Sequence, residues 1–529
     1  MNKNLLSAVL SGILLAAAWP TYGISFLVFT GFVPLLLVEK RIRESKTSKK
    51  SLKLLGLAYV TFVFWNGLTT WWLWNSTLFG MLFAVLVNSL FMSFVFLSYH
   101  YVAKKLPVKI HLIYLPAIWL AFEKLHLGWT FSWPWLNLGN VFSEYHTWIQ
   151  WYEYTGTFGG SLWVWIVNIS LYAALVNYNN LKDRKKLSKH IARSILLISI
   201  PVLFSLWLYQ QQENYNKTAK VVVLQPNVDP YTEKYGRSNY ESLKDLLRLS
   251  GSYELGKVDF LIAPETTLSK LTSVDYLKVT QESIVIKALI NQYPNLNFLT
   301  GADLFKLYQQ KQKPSPYANK TSRGDWVELY NAALFFNKST DNIPFYTKSK
   351  LVVGVETFPF KNILEPVLGN IMIDLGGTVS ARAVQKERMV FSSVNGKIKA
   401  GPIICYESVY GEFVTEYVKK EANFLAIITN DGWWGNTQGH KQHLSYARLR
   451  AIETRKNIAR SANTGISAFI TAKGDIIKQL GYEKKGSLLY DIKLNDRLTF
   501  YVKYGDYIAR LAVLLAGFIF LFAIARKKS

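Results

Sequence analysis

Cysteine is nearly missing from this chain: its 529 residues include one, Cys405. That excludes an intramolecular disulfide and leaves packing, intermolecular pairing or chemistry as its role. Taken alone, a free cysteine reads first as a small buried hydrophobe. Charge is scarce as well, at 18%, and acidic residues are the scarcer kind, 35 against 61 basic. A formal charge of +26 admits nucleic acid as a partner, so the basic residues have first to be compared with membrane flanks. Metal-ligand clusters are wanting too. His440 and His443 are three apart, but no third ligand stands at a suggestive spacing, and the polar start of a helix accounts for both, so no metal or other cofactor is expected.

Apolar residues are abundant, at 50%, with 17 Trp and 31 each of Phe and Tyr. Seven apolar stretches precede residue 212, at about 5–20, 24–38, 54–74, 77–103, 111–125, 157–178 and 193–210, and an eighth covers 507–525. A crossing takes about 20 apolar residues, so the first, second and fifth are short. Leu5–Ala18 behind Lys3 also has the form of a signal peptide, but further spans follow at once, which favours a retained helix. Basic clusters follow the even-numbered stretches: Lys40–Lys53, Lys104–Lys109, Lys182–Arg193 and Arg526–Lys528. The positive-inside rule puts those loops, and both termini, in the cytoplasm. The nucleic-acid reading loses its main support, and none is expected as a partner.

This predicts an N-terminal membrane domain of about seven helices over 1–212, an extracytoplasmic domain over 213–505, and a last helix with a basic tail over 506–529. The middle part alternates strand-like runs, among them Ala219–Gln225, Asp259–Ala263, Tyr330–Phe336, Lys399–Cys405 and Phe424–Thr429, with helical patterns at Tyr240–Leu249, Ser273–Gln292 and Gln442–Ile458. Such alternation predicts an α/β domain with sheets covered by helices. Residues 306–327 read as a polar loop. Residues 361–396 carry Ile363, Leu364, Val367, Leu368, Ile371, Met372, Ile373 and Leu375, a payload that either packs on its own domain or forms a lid dipping into lipid.

A lone thiol outside the cytoplasm is liable to oxidation, which makes mere packing a poorer account of Cys405. Two other reactive groups follow apolar strands: Glu265, closing Phe260–Glu265, and Lys348, within Phe345–Lys350. A carboxylate base, a thiol nucleophile and a cation for the oxyanion make a complete acyl-transfer set. Spacing does not establish that they meet, and each could equally be a surface charge.

The trio and its flanks resemble the carbon–nitrogen hydrolase (nitrilase) superfamily, and within it the apolipoprotein N-acyltransferase branch of integral membrane enzymes. The resemblance rests on Pro264–Glu265, on Tyr346–Val352 followed by Gly354 and Glu356, and on Ile404–Glu407. It continues through Asn430–Gly435, Gln442–His443, Ala447–Glu453 and Asn463–Ser467, with Trp133–Leu136 and Gly159–Ser161 upstream. Two departures stand out. Val353 replaces the family's Pro-Phe and Val355 is inserted before Glu356, while Glu233-Lys234-Tyr235 stands where relatives carry a Lys-Trp pair.

The resemblance implies an αββα sandwich on a bundle of about eight transmembrane helices. It implies transfer of a fatty acyl chain from a membrane phospholipid, through a thioester on Cys405, to the α-amine of a lipoprotein's diacylglyceryl-cysteine. Glu265 would be the general base and Lys348 the oxyanion cation. Glu356, Glu407 and Tyr406 would support them, Tyr235 would take over an aromatic substrate contact, and Trp433 and Trp434 would either line the acyl channel or pack beneath the sheet. The implied setting is a bacterial inner membrane with the catalytic domain on the periplasmic side. Two rivals remain open, a membrane-anchored nitrilase-type hydrolase and a non-enzymatic transporter or scaffold.

Overall fold

The computed structural model describes residues 3–526 apart from 131, 182, 212–214, 216, 311, 340, 354 and 358–380. The chain divides into two units, one of Met1–Trp74, Leu78–Gln211 and Tyr504–Ser529, the other of Asn75–Thr77 and Gln212–Lys503. Residues 361–380 of the apolar loop lie outside the described residues, so the lid reading is not addressed by this structure.

The first unit is helical wherever the apolar runs lie. Among the described residues five helices are long and apolar enough to cross a membrane: Lys50–Asn75, Leu78–Ala103, Thr157–Tyr178, Arg184–Gln210 and Tyr507–Ala525. The three short stretches are helical over Lys3–Ala17, Val33–Glu44 and Val108–His126. The second is interrupted at Phe32, just before Pro34, whose ring suits only the first turn of a helix. Asn168 repairs the break by accepting from the Phe32 N–H at 3.0 Å and donating to the Val28 carbonyl at 2.9 Å. Left unmet in hydrocarbon, each of those backbone groups would cost several kcal/mol. Trp65, Trp119 and Trp165 are fully buried around Phe32 and Phe62, the Phe32 and Trp165 rings lying 4.2 Å apart. The charges near the 108–126 helix end are partnered: Glu123 accepts from the Leu138 N–H at 2.7 Å, and Lys124 pairs with Asp506 at 2.8 Å.

Among the described residues the second unit holds fourteen strands in two sheets. The first seven are β1 (Thr218–Gln225), β2 (Phe260–Ile262), β3 (Leu268–Ser273), β4 (Asn297–Tyr308), β5 (Asn319–Lys320), β6 (Trp326–Phe336) and β7 (Phe345–Thr347). The rest are β8 (Phe391–Ser392), β9 (Lys399–Ile404), β10 (Phe424–Thr429), β11 (Ile458–Ala462), β12 (Ser467–Ile470), β13 (Ile476–Leu480) and β14 (Gly486–Lys493). One sheet runs β14-β1-β2-β4-β6-β5, with β3 on β4 and β7 on β6; the other runs β13-β12-β11-β10-β9-β8. Their inner strands β1, β2 and β4, and β9, β10 and β11, pair in parallel.

Both faces of β1 are buried from Val221 onward, which is why Val221–Leu224 is a continuous apolar run. Val222 and Leu224 point to a core shared with Leu243, Leu246, Ile286 and Ile290 of the helices Asn239–Ser250 and Gln281–Gln292. The opposite face meets the second sheet, where Phe260 lies 5.3 Å from Phe424 and Phe335 stacks 4.8 Å from Phe391. Helices Gly411–Lys419 and Gln438–Thr454 belong with the second sheet, completing an αββα layering.

The sequence reading erred at three elements. Residues 306–327 are not all loop, because β4 continues to Tyr308 and pairs there with Trp326. The 273–292 helix begins at Gln281, where Thr280 caps it, after a 3-10 turn over Val274–Val279. The 442–458 helix stops at Thr454, with Arg455 left-handed, and Ile458 opens β11.

Candidate active site

The parallel strands end on one side, and their loops carry the reactive groups, as open parallel sheets dictate. Glu265 lies three residues beyond β2, Lys348 one beyond β7 and Cys405 one beyond β9. All three are buried and line one cavity of about 460 Å³, together with Tyr235, Glu356, Trp433 and Trp434. Spacing along the chain left their convergence open; the two facing sheets bring them together.

Cys405 has φ 52°, a left-handed conformation costing a non-glycine residue about 1–2 kcal/mol. The turn is held from several sides. Ser408 Oγ donates to the Cys405 carbonyl at 2.8 Å, His443 Nε2 lies 3.2 Å from the same oxygen, and the Ile404 N–H donates to Glu407 Oε2 at 2.8 Å. Burial, and then the neighbouring Glu265 carboxylate, push the thiol pKa well up, against the pull of Lys348. The sulfur therefore rests protonated and needs a base as it attacks.

Lys348 Nζ donates to Glu265 Oε1 at 3.0 Å and Glu356 Oε1 at 3.0 Å. Burial alone would lower its pKa, but the two carboxylates outweigh burial and hold it well above the ordinary lysine value. Glu356 is raised by burial and more than compensated by Lys348 and Arg382, leaving it below the usual carboxylate range. Asn331, in β6 just before the apolar run Ala332–Phe336, donates to Glu265 Oε1 at 2.8 Å and Glu356 Oε1 at 3.1 Å. The Asn430 N–H takes Glu265 Oε2 at 3.1 Å. The general-base candidate is thus fixed at both oxygens.

Glu407 does something different from Glu356. It sits behind the nucleophile turn, accepting from the Ser349 N–H and Tyr346 hydroxyl, both at 2.7 Å, as well as from Ile404. One carboxylate thereby ties the Lys348 loop to the Cys405 loop. Burial raises its pKa. Tyr406 is buried with its ring 5.3 Å from Tyr410, in a T-shaped contact. Tyr235 is half-exposed at the cavity wall, and Trp433 and Trp434 are half-buried there, an arrangement of cavity lining rather than packing beneath the sheet.

Sequence reasoning missed Asn331, Asn430, Asp303, Arg382 and the pair Asp431–Arg460. Asn331 alone left a signal, a carboxamide just before the apolar run Ala332–Phe336. It also missed that His443 does gain neighbours in space: donor atoms of Cys405, Asp431 and His443 lie within 4.8 Å of one another. Asp431 is engaged by the Arg460 guanidinium and His443, so a cation already occupies the charge a metal would need. His440 instead stacks on Tyr482 at 4.3 Å and meets Asn436 at 3.2 Å.

Two family models match in tandem: apolipoprotein N-acyltransferase N-terminal domain over residues 11–170, and carbon-nitrogen hydrolase over 316–498. The apolipoprotein N-acyltransferase of Chlorobaculum tepidum is 27% identical, covering 100% of this chain and 98% of its own length. That of Pasteurella multocida is 26% identical, over 97% of this chain and 94% of its own. The chain belongs to the apolipoprotein N-acyltransferase family. With its apolar helices, it is a membrane protein. Among solved structures, an amidase from Nesterenkonia sp. aligns with 57% of this chain and 99% of its own, at 12% identity and a TM-score of 0.37.

Proposed function

We propose that this protein moves a fatty acyl group from a membrane phospholipid, through a thioester on Cys405, to the α-amine of a lipoprotein's diacylglyceryl-cysteine. One observation carries the reading: a buried thiol on a left-handed turn shares a cavity with a carboxylate that is itself held by a buried lysine. Glu265 takes the thiol proton as sulfur attacks the ester carbonyl, and Lys348 stabilises the oxyanion. Collapse expels the lysophospholipid, which leaves with the proton from Glu265. The neutral amine then attacks the thioester, its proton passes to Glu265, and the thiol is restored. No electron changes hands, and the scheme uses no cofactor or metal.

The catalytic domain is assigned to residues 213–505 on the periplasmic side of a bacterial inner membrane, with about eight crossings and both termini in the cytoplasm. The even-numbered basic clusters support that orientation. Both substrates are lipids, held in the bilayer by about 0.8 kcal/mol per buried CH₂, so the enzyme must work at its surface.

The test is to incubate purified enzyme with a phosphatidylethanolamine and a diacylated lipopeptide. Expected are an acyl adduct on Cys405 by intact mass and N-acylated peptide on addition of the acceptor, both lost in Cys405→Ser. Free fatty acid without N-acylated peptide would overturn the transferase reading in favour of a hydrolase.

A further inference from the structure

One cation in the cavity has no carboxylate of its own among the described residues. Lys234 is 7% exposed and lines both the main cavity and a smaller one beside Glu265. Its ammonium donates to Thr266 Oγ1 and stands 5.5 Å from the Tyr235 ring centre and 5.6 Å from that of Trp433. The acids around it are committed elsewhere, Glu265 and Glu356 to Lys348 and Asp303 to Arg382.

An ammonium has three N–H donors, and Thr266 meets one. Aromatic faces attract it but accept no conventional hydrogen bond. Burial pulls its pKa down, and Asp303 and Glu265 offset this only in part. Burying a cation is costly unless an acceptor meets it, and the described side chains supply only a hydroxyl. The missing acceptor is therefore a ligand's, and an anionic oxygen fits the two remaining donors and the deficit of charge.

The acyl donor under the reading above carries such an oxygen. Its phosphodiester lies one glycerol unit from the ester carbonyl that must meet Cys405, whose cavity Lys234 shares. The second substrate brings an amine to the site, which offers the Lys234 ammonium no anionic oxygen. We propose that Lys234 is the subsite for the phosphodiester of the acyl donor, making the first half-reaction selective for phospholipids over neutral acyl esters. This rests on the phospholipid reading of the donor. The rings of Tyr235 and Trp433 flank the ammonium itself, which pairs with no acid among the described residues.

The experiment follows acylation of Cys405 by intact mass in the full-length enzyme, with a phosphatidylethanolamine and with the p-nitrophenyl ester of the same fatty acid. Lys234→Met should lower kcat/KM for the phospholipid at least tenfold more than for the neutral ester, chiefly through KM, and Lys234→Arg should recover part of that difference. Equal losses on both donors would mean that Lys234 acts only on the fold or on Glu265, and would overturn the subsite. So would no loss on either. A wild type acylated by the ester but never by the phospholipid would instead overturn the donor reading itself. Product inhibition separates lipid from free anion: lysophosphatidylethanolamine should slow ester turnover at far lower concentration than inorganic phosphate, and the reverse order would refute the lipid assignment.

Discussion

Gly301→Ala tests how tightly Glu265, the proposed general base, is positioned. Gly301 lies on β4, its N–H donating to the Pro264 carbonyl at 3.0 Å, directly against the segment that carries Glu265. An added Cβ would fall 2.3 Å from Thr266 N, 2.6 Å from Glu265 Cα and 2.6 Å from Pro264 O. All three are backbone atoms, so no rotamer change relieves the overlap. Ordinary contact needs about 3.5 Å, hence a movement of about 1 Å. β4 is clamped between β2 and β6, so the 264–266 segment gives way. The strain is about 1–3 kcal/mol of stability. The shift also stretches the bonds from Asn331 and Asn430 that orient Glu265. Misplacing a reacting group by that much costs about 100-fold in rate. Single-turnover acylation of Cys405, read by mass, should slow by roughly two orders of magnitude while most molecules stay folded. Gly256→Ala, whose Cβ meets only Tyr293 Cδ1 at 3.8 Å, is the control and should behave as wild type. A Gly301→Ala enzyme that acylates within about threefold of wild type would refute the claim that the placement of Glu265 limits the reaction.

Lys348→Met leaves two buried carboxylates facing each other and should destabilise the catalytic unit by about 3–5 kcal/mol in denaturant; adding Glu356→Gln should restore part of that stability but no turnover. Glu407→Ala strands the Ile404 and Ser349 N–H groups, each worth about 1–3 kcal/mol when unmet, and should lower both the melting temperature and the acylation rate, whereas a loss of stability alone would deny it a part in aligning the loops. His440 supplies a pH signature: burial, its main cause, lowers its pKa from 6.5 to about 4, so the unfolded chain binds a proton in that window that the folded chain does not. Stability should therefore fall as pH drops from 6.5 towards 4, by up to roughly 3 kcal/mol, and His440→Gln should flatten that fall in thermal unfolding followed against pH.

Legibility divided along a physical line. Cys405, Glu265 and Lys348 could be picked out because each follows an apolar strand, and a strand announces itself through its own residues. Glu407 could be picked out only as a neighbour of Cys405; that it reaches across to the Lys348 loop depends on Ser349 and Tyr346, 58 and 61 residues away. The helix was carried on to Ile458, the first residue of β11, because the periodicity of 442–454 runs towards an equally buried strand, and the break is a left-handed Arg455 that composition does not signal. The far end of β4 was read as loop because Lys306 and Tyr308 look like loop residues until Glu328 and Trp326 pair with them.

By itself the sequence determined that the chain enters a membrane, that an α/β domain lies between the last two apolar stretches, and which three side chains could perform acyl transfer. Those are local properties, set by hydropathy, charge and strand-end position. Only the tertiary structure decided that the three share one cavity, that Asn331 and Asn430 hold Glu265, that Arg460 neutralises Asp431 near Cys405, and that Lys234 stands in the cavity without a carboxylate of its own among the described residues. Each of these depends on which strands lie side by side and which sheets face each other. That is settled by packing between residues far apart in the chain, and it leaves no mark in any short stretch of it.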